Sequence, residues 1–449
     1  MALSPRATQA CSPSLPYFSL FMQALSNLHS PGTNPNGIVS LCVAENALSA
    51  PLLAHRLRTA ASLSPPPPGQ LGYDDMRGRA PLRDAFARLA ASRITRGAPV
   101  APRHLTVAGG CGALIQHLAF LLVDPALACM ILVTPTYAML YNDVGVLAGV
   151  RVVDAPLAPG APLSAALLDA ASASARAQGL TPKLLFLINP DNPLGVVRPA
   201  AEVRAALAWA RAQEGGMHVV VDEIYALSVH GGEGAGFTSA ATLMHGEGGG
   251  ALRAGGGAGS GEGDGRYLGD FVHILWGLSK DWCASGLRVG LLLTHNEALT
   301  AALDNVGYFS AASNATQDAL AEVLADGPWV EGFLARNLAA LAGASRTACA
   351  ALERARIPFL RPSGGMFVWV DLRAWLPGGG ARGWGAEREL TGALFQAGVL
   401  LTPGEAMHAA EPGFFRLCFA WHAELGSLEE GLRRLAAFCC ARGEGGAQQ

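Results

Sequence analysis

The sequence predicts an α/β fold around a largely parallel sheet, and three observations carry that prediction. Short β-rich runs alternate with longer Ala- and Leu-rich stretches through the middle of the chain, the order expected of strand–helix–strand units. Each β-rich run ends in a polar or glycine-rich segment, and in open α/β sheets ligands collect beyond the carboxyl ends of the strands. With 449 residues, 51% of them hydrophobic and 15% charged, the chain can bury a large core.

Taken in order, the strand candidates are Leu105 to Val107, Met130 to Val133, Leu184 to Ile188, His218 to Val221 and Val272 to Trp276. Helices fill the intervals, as in the run Ala200 to Ala212. The longest apolar stretch, His117 to Val133, is broken by Asp124 and Pro125 and reads as buried helix, turn and strand, not as a membrane span. Five segments far apart in sequence are therefore expected to meet at one pocket. Two stretches stand outside this plan. The glycine-dominated run 246–265 has too little apolar surface to offset its ordering entropy and is expected to be a disordered surface loop. The prolines Pro65 to Pro68 should be extended and exposed, marking a boundary. No internal repeat is visible.

The formal net charge of -3 offers no basic field for nucleic acid or an anionic membrane, which leaves small molecules as the expected partners. Nine cysteines are scattered without a C-x-x-C pair, and the adjacent Cys439 and Cys440 alone make neither a metal site nor a disulfide framework. A reducing compartment, with a cytoplasmic location, is the simplest reading. The first ten residues hold one Arg and no apolar core of signal-peptide length, so a short organellar address is the alternative.

The chemistry sits at the strand ends. Trp276-Gly277-Leu278-Ser279-Lys280 closes one strand, and Arg288 follows in Gly286-Leu287-Arg288-Val289-Gly290. A lysine desolvated there has its pKa lowered, so its neutral amine can condense with an aldehyde cofactor, while the arginine suits a phosphate. Alone, the segment reads equally well as a surface lysine and a structural arginine. Val221-Asp222-Glu223-Ile224-Tyr225 places a carboxylate and a phenol at a second strand end. Beside a pyridine nitrogen such a carboxylate keeps the ring protonated, although a lone strand-end Asp is often a helix cap. In Asn189-Pro190-Asp191-Asn192-Pro193-Leu194-Gly195 two prolines turn the chain off its strand and free the Asn192 amide to donate. Ala108-Gly109-Gly110-Cys111-Gly112 is a glycine turn into a helix, able to cradle a phosphate on backbone N–H groups. Pro135-Thr136-Tyr137 offers an aromatic face for a heteroaromatic ring, or a core tyrosine.

Together these segments resemble the class I/II aminotransferase family, the fold-type I enzymes that use pyridoxal 5'-phosphate (PLP). Its motifs N-P-x-N-P-x-G, D-E-x-Y and S-K-x7-R occur here in the family's order. The resemblance implies a fold-type I PLP-dependent transferase with a large, mostly parallel domain and a smaller α/β domain. It implies Lys280 as the Schiff-base residue, Asp222 on the pyridinium, Asn192 and Tyr225 on the ring oxygen, and Tyr137 stacked on the ring. Gly109, Gly110, Cys111, Ser279 and Arg288 would surround the phosphate, with Tyr73 reaching in from the other subunit of a homodimer that shares its active sites.

Glu411 to Ala420, Asn36-Gly37-Ile38 through Ala44-Glu45-Asn46, Gly365 to Asp371, and Pro403-Gly404 ahead of His408 look like the 1-aminocyclopropane-1-carboxylate (ACC) synthase subgroup. An Arg fork binds a carboxylate through two parallel hydrogen bonds, and Arg416 stands where the family keeps its substrate-carboxylate arginine. Glu45 would lie beside the substrate amine or sulfonium, or be an interface carboxylate. Three positions depart from the pattern: Met76 replaces a tyrosine, Ala47 a glutamine, and Gly277 a phosphate-binding serine. The expected plan is an N-terminal segment 1–54 belonging to the small domain, a large PLP-binding domain over 55–310, and a C-terminal small domain over 311–449. The expected activity is transamination between an α-amino acid and a 2-oxo acid. ACC synthesis from S-adenosylmethionine is the alternative, and a PLP-binding scaffold without turnover is the third possibility.

Overall fold

The computed structural model describes residues 3–11, 15–63, 66, 69–158, 160–231, 236–246, 266–380 and 382–445. Most of the glycine-rich run and three of the four prolines from Pro65 to Pro68 lie outside the described residues.

Seven strands form the central sheet: β2 (Leu105–Ala108), β3 (Ala128–Thr134), β4 (Arg151–Pro156), β5 (Thr181–Ile188), β6 (His218–Asp222), β7 (Val272–Gly277) and β8 (Gly290–Thr294). Their order is β2-β8-β7-β6-β5-β3-β4. The pairs β3–β4, β3–β5, β5–β6 and β6–β7 are parallel, and β8 alone runs antiparallel, between β2 and β7. All five expected strands are present. The interior strands are continuous apolar runs because both faces are covered, and every residue of β3 is buried. Alternate residues of β3 enter different cores: Ile131 and Val133 pack on one face, Met130 and Leu132 on the other.

The two strands not foreseen have physical reasons to be hidden. Edge strand β4 carries exposed Arg151 and Pro156, and β8 reads Gly-Leu-Leu-Leu-Thr, with one terminal Thr as the only β-branched residue and no aromatic to mark it as a strand. The helix Ala200–Ala212 has the expected bounds and buries Val203, Ala206, Leu207 and Ala210, one face at helical spacing.

A second, four-stranded sheet runs β12-β13-β10-β9, from β9 (Phe359–Leu360), β10 (Phe367–Asp371), β12 (Thr402–Pro403) and β13 (Phe414–Cys418), all antiparallel. Near it, β1 (Val39–Ser40) pairs in parallel with β11 (Val399–Leu400), tying the N-terminal segment to the C-terminal region. The helix Gly327–Arg354 joins the two cores, with Val330 and Phe333 in one and Leu341, Ala344 and Ala348 in the other. The preceding helix Asn314–Ala325 is held to Arg79, at the head of the helix Ala80–Leu89, by a 2.6 Å Arg79 Nε–Asp318 Oδ1 ion pair. Among the described residues no helix is long and apolar enough to cross a membrane.

Candidate active site

Strands β2, β3, β5, β6 and β7 end on the same edge of the sheet, and their carboxyl ends deliver side chains to one cavity of about 640 Å³. Its lining includes Cys111, Tyr137, Asn192, Asp222, Tyr225, Ser279, Lys280 and Arg288, all singled out by the motifs, together with Ala44, Gly112, Ile115, Ile188, Ile224 and Ser285.

One end of the cavity is built from glycine. Gly110 has φ +98°, and a Cβ there would stand 2.5 Å from Arg288 Nη2. A Cβ on Gly290 would stand 2.5 Å from the Cys111 nitrogen. Only bare backbone lets β8, the turn and the arginine approach this closely. The helix Cys111–Leu122 begins here with the Arg288 guanidinium close beside its first turn, Nη2 donating to the Gly109 carbonyl at 3.4 Å, and the helix start and the guanidinium both favour an anion. Arg288 Nη1 donates to the Ser285 carbonyl at 2.9 Å. Gly109 lies behind, its N–H donating to the Ser310 carbonyl at 2.7 Å. Asp143 approaches the same end. Burial pushes its carboxyl up to about 6 against the pull of Arg288, and its Oδ2 is buried without a hydrogen-bond partner.

Asp222 forms the floor. It is buried at the end of β6, its Oδ1 accepts the Ile224 N–H at 3.1 Å, and burial pushes its carboxyl up to about 7, against that N–H and the Lys280 charge. A cation placed beside it would be paired at once, since a buried carboxylate lacks other means to offset desolvation. Lys280 points into the cavity and donates to the Ala44 carbonyl of the N-terminal segment. Burial, and then the Arg416 charge, lower its pKa. The Tyr225 ring meets Phe367 edge-on at 5.7 Å, and burial raises its phenol well above the ordinary value, as it raises that of Tyr137.

Arg416, on β13, reaches the cavity wall through Asn192. Nη1 donates to Asn192 Oδ1 at 2.9 Å, Nη2 to the Cys42 carbonyl at 2.7 Å, and the guanidinium lies 4.5 Å from the Phe367 ring. Its Nε is buried with no hydrogen-bond partner, an orphan donor of the kind that a ligand carboxylate would satisfy.

Five expected residues are not among the cavity lining: Gly109 and Gly110 of the turn before Cys111, Arg416, which bonds Asn192 of the wall, and Glu45 and Tyr73. Glu45 accepts the Ser285 hydroxyl and so sits one residue behind the wall. Tyr73 is 99% exposed, beside Met76 in a separate surface depression. Gly277 is closely packed, since a Cβ there would lie 2.8 Å from Cys111 Sγ. The motifs assign no role to Ser285, Ala44 and Asp143. Ser285 falls inside the S-K-x7-R spacing and Ala44 inside the segment that ends Ala44-Glu45-Asn46, so both could have been read there; Asp143 carries no spacing signal.

The model of the family "Aminotransferase class I and II" matches residues 38–435. The chain is 32% identical to 1-aminocyclopropane-1-carboxylate synthase 4 of Oryza sativa subsp. japonica, over 97% of this chain and 89% of that protein. It is 33% identical to 1-aminocyclopropane-1-carboxylate synthase-like protein 1 of Bos taurus, over 86% of this chain and 73% of that one. Among solved structures, a double mutant of Thermus thermophilus aspartate aminotransferase superposes with a TM-score of 0.75 at 21% identity, covering 98% of this chain and all of that one. The fold is thus that of the fold-type I enzymes, and by sequence the chain belongs to the class I and II aminotransferase family.

Proposed function

We propose that this protein is a PLP-dependent aminotransferase acting on an α-amino acid and a 2-oxo acid. The observation that carries the reading is the meeting in one cavity of a lysine of lowered pKa, a buried aspartate and an arginine set against a glycine turn, with Arg416, whose Nε is an orphan donor, hydrogen-bonded to Asn192 of the cavity wall. These groups fit PLP: the cradle of Gly109, Gly110, Cys111, Ser279 and Arg288 suits its phosphate, Asp222 its ring nitrogen, Asn192 and Tyr225 its ring oxygen, Tyr137 its ring face and Lys280 its aldehyde. When bound, PLP supplies an electron sink conjugated to the substrate α-carbon.

This chain's residues do the rest. Lys280, its amine held toward the neutral form by burial, would take the proton from the substrate α-carbon at its Nζ. Arg416 orients the α-carboxylate through its fork. Asp222 keeps a positive charge on the ring nitrogen because ionising the buried carboxyl is favourable only beside a cation. Closure of the C-terminal part over the cavity excludes water while the proton is moved.

A second reading, ACC synthesis from S-adenosylmethionine, is favoured by the 32% identity to a protein of that name and the 33% identity to a synthase-like protein, and by Glu45, whose carboxylate stands behind Ser285 and would favour a cationic substrate.

Lys183 and Lys280 are the only two lysines, which makes the decisive test simple. Purified protein is loaded with PLP, reduced with borohydride and digested, with cofactor expected on the Lys280 peptide alone. The loaded protein is then given an amino acid with a 2-oxo acid and, separately, S-adenosylmethionine. A new amino acid supports transamination; methylthioadenosine with ACC supports the second reading. A visible band unchanged by every substrate points to a PLP-binding scaffold, and no cofactor on Lys280 overturns the PLP reading.

A further inference from the structure

The helix Gly327–Arg354 carries a buried amide, Asn337, within a seam otherwise made by Phe333, Leu341 and Ala344. A polar group at such a position is costly unless its donors and acceptor are satisfied, and here every bond leads toward Lys280. Asn337 Nδ2 donates to the Asp281 carbonyl at 3.0 Å, and its Oδ1 accepts from Asn46 Nδ2 at 3.0 Å. Asn46 Nδ2 also donates to the Lys280 carbonyl, at 3.3 Å. The peptide carbonyls of Lys280 and Asp281 are therefore both gripped by side-chain amides from outside the sheet. The Asp281 carboxylate continues the chain, accepting the Leu227 N–H at 2.8 Å and the Ser228 hydroxyl, in the turn that follows Tyr225.

These bonds run between elements that sequence places far apart. Asn46 belongs to the N-terminal segment, whose Ala44 carbonyl takes the Lys280 ammonium. Asn337 lies midway along the helix that joins the two cores. An apolar residue at position 337 would leave the Asp281 carbonyl without its amide donor and Asn46 Nδ2 without its acceptor on the helix, so packing alone does not call for an amide there.

We infer that Asn337, acting with Asn46 through the Lys280 and Asp281 carbonyls, is a positioning residue that fixes the backbone of the reactive lysine to the helix joining the two cores. The inference rests on the reading of Lys280 as the residue that takes PLP, and it adds a mechanical consequence. Displacement of that helix relative to the sheet is transmitted to the Lys280 backbone, so the amine's reach is set from outside the cavity.

The test uses Asn337→Leu, which keeps the branched shape of the side chain and removes both bonds, and Asn46→Ala, which removes the bonds to the Lys280 carbonyl and to Asn337 while leaving the helix sequence unchanged. One readout needs no cofactor: acetic anhydride labels the cofactor-free protein, and peptide mapping gives the Lys280 rate relative to Lys183. A second is the pH midpoint of the visible band after PLP loading. Both variants are expected to change the labelling ratio by about threefold or more and to shift the midpoint in the same sense. They should act on kcat more than on KM, with little further change in the double variant because the two amides form one unit. If Asn337→Leu does not fold, Asn46→Ala decides the matter. A labelling ratio and a midpoint that match the wild type overturn the positioning role while leaving the PLP reading intact. No visible band in the wild type, with the labelling ratio still altered in the variants, overturns the PLP reading and leaves the positioning role standing.

Discussion

A Cβ on Gly277 would stand 2.8 Å from Cys111 Sγ and 3.2 Å from Ile224 Cδ1, so the missing side chain and the thiol are two halves of one packing arrangement. The Cys111 thiol donates to the Trp276 carbonyl at 3.1 Å and leaves no room for the serine usual in the family at 277. Gly277→Ser is expected to cost about 1–3 kcal/mol in urea unfolding through overpacking. Adding Cys111→Ala should recover about 1 kcal/mol or more of that loss, because contacting residues couple. Strictly additive effects would show that the two positions do not share this space. Asp222 makes a different prediction. Its carboxyl is raised from 3.8 to about 7 by burial, so the folded chain holds a proton that the unfolded chain has released. Its contribution to the stability of cofactor-free protein is therefore present below about pH 4 and declines as pH rises to about 7. Asp222→Asn removes the titration. Between pH 5 and 8 the variant should lose less thermal stability than the wild type, whereas parallel curves would mean that Asp222 is not raised.

At the scale of elements, the turn after β5 shows why a motif fixes geometry. Gly195 has φ +68°, and a Cβ there would lie 2.2 Å from the Phe367 carbonyl oxygen. Its own carbonyl accepts the Ser363 and Gly364 N–H groups at 2.8 and 3.1 Å. The turn thus docks on β10 of the second sheet and brings Asn192 to Arg416 of β13. Gly195→Ala should cost on the order of 2 kcal/mol or more through backbone strain and displacement. If the turn does hold Asn192 in place, KM for the amino acid should rise more than kcat falls, and an unaltered KM would argue against that coupling. Such turns were legible because Gly, Pro and Asn spacing is local chemistry, as were the five strand ends, each a short apolar run closed by polar residues. The edge β4 and the leucine-rich β8 were not, since their pairing is decided by neighbours distant in sequence. The same division runs through the cavity. Lys280, Asp222, Asn192 and Arg288 lie in motifs whose spacing survives in one dimension, as does Asn46 in Ala44-Glu45-Asn46, whereas Asn337 and Asp281 are ordinary polar residues until the helix and the N-terminal segment meet behind the lysine.

For the whole molecule, the telling surface is the one that carries Tyr73. Leu71 is 90% exposed, Tyr73 99% and Phe309 71%, and Phe309 precedes the Ser310 whose carbonyl accepts the Gly109 N–H of the cradle turn. Large apolar side chains exposed beside a candidate anion site point to an interface, and a twofold dimer would cover the patch while lending one subunit's Tyr73 to the other's cavity. Complementation distinguishes a lent residue from a local one. Lys280→Ala and Tyr73→Ala chains should each be nearly inactive alone, the second through weakened PLP retention. Mixed and refolded in equal amounts, half the dimers contain both chains, and in each of those one site has Lys280 from one subunit and Tyr73 from the other. About a quarter of wild-type activity should therefore return if Tyr73 crosses the interface. If Tyr73 serves its own chain, no mixed dimer holds an intact site through the exchange of this residue, and its partner's Lys280→Ala site stays dead. The Tyr73→Ala site would then gain nothing from mixing, and activity would remain at the level of the separate variants.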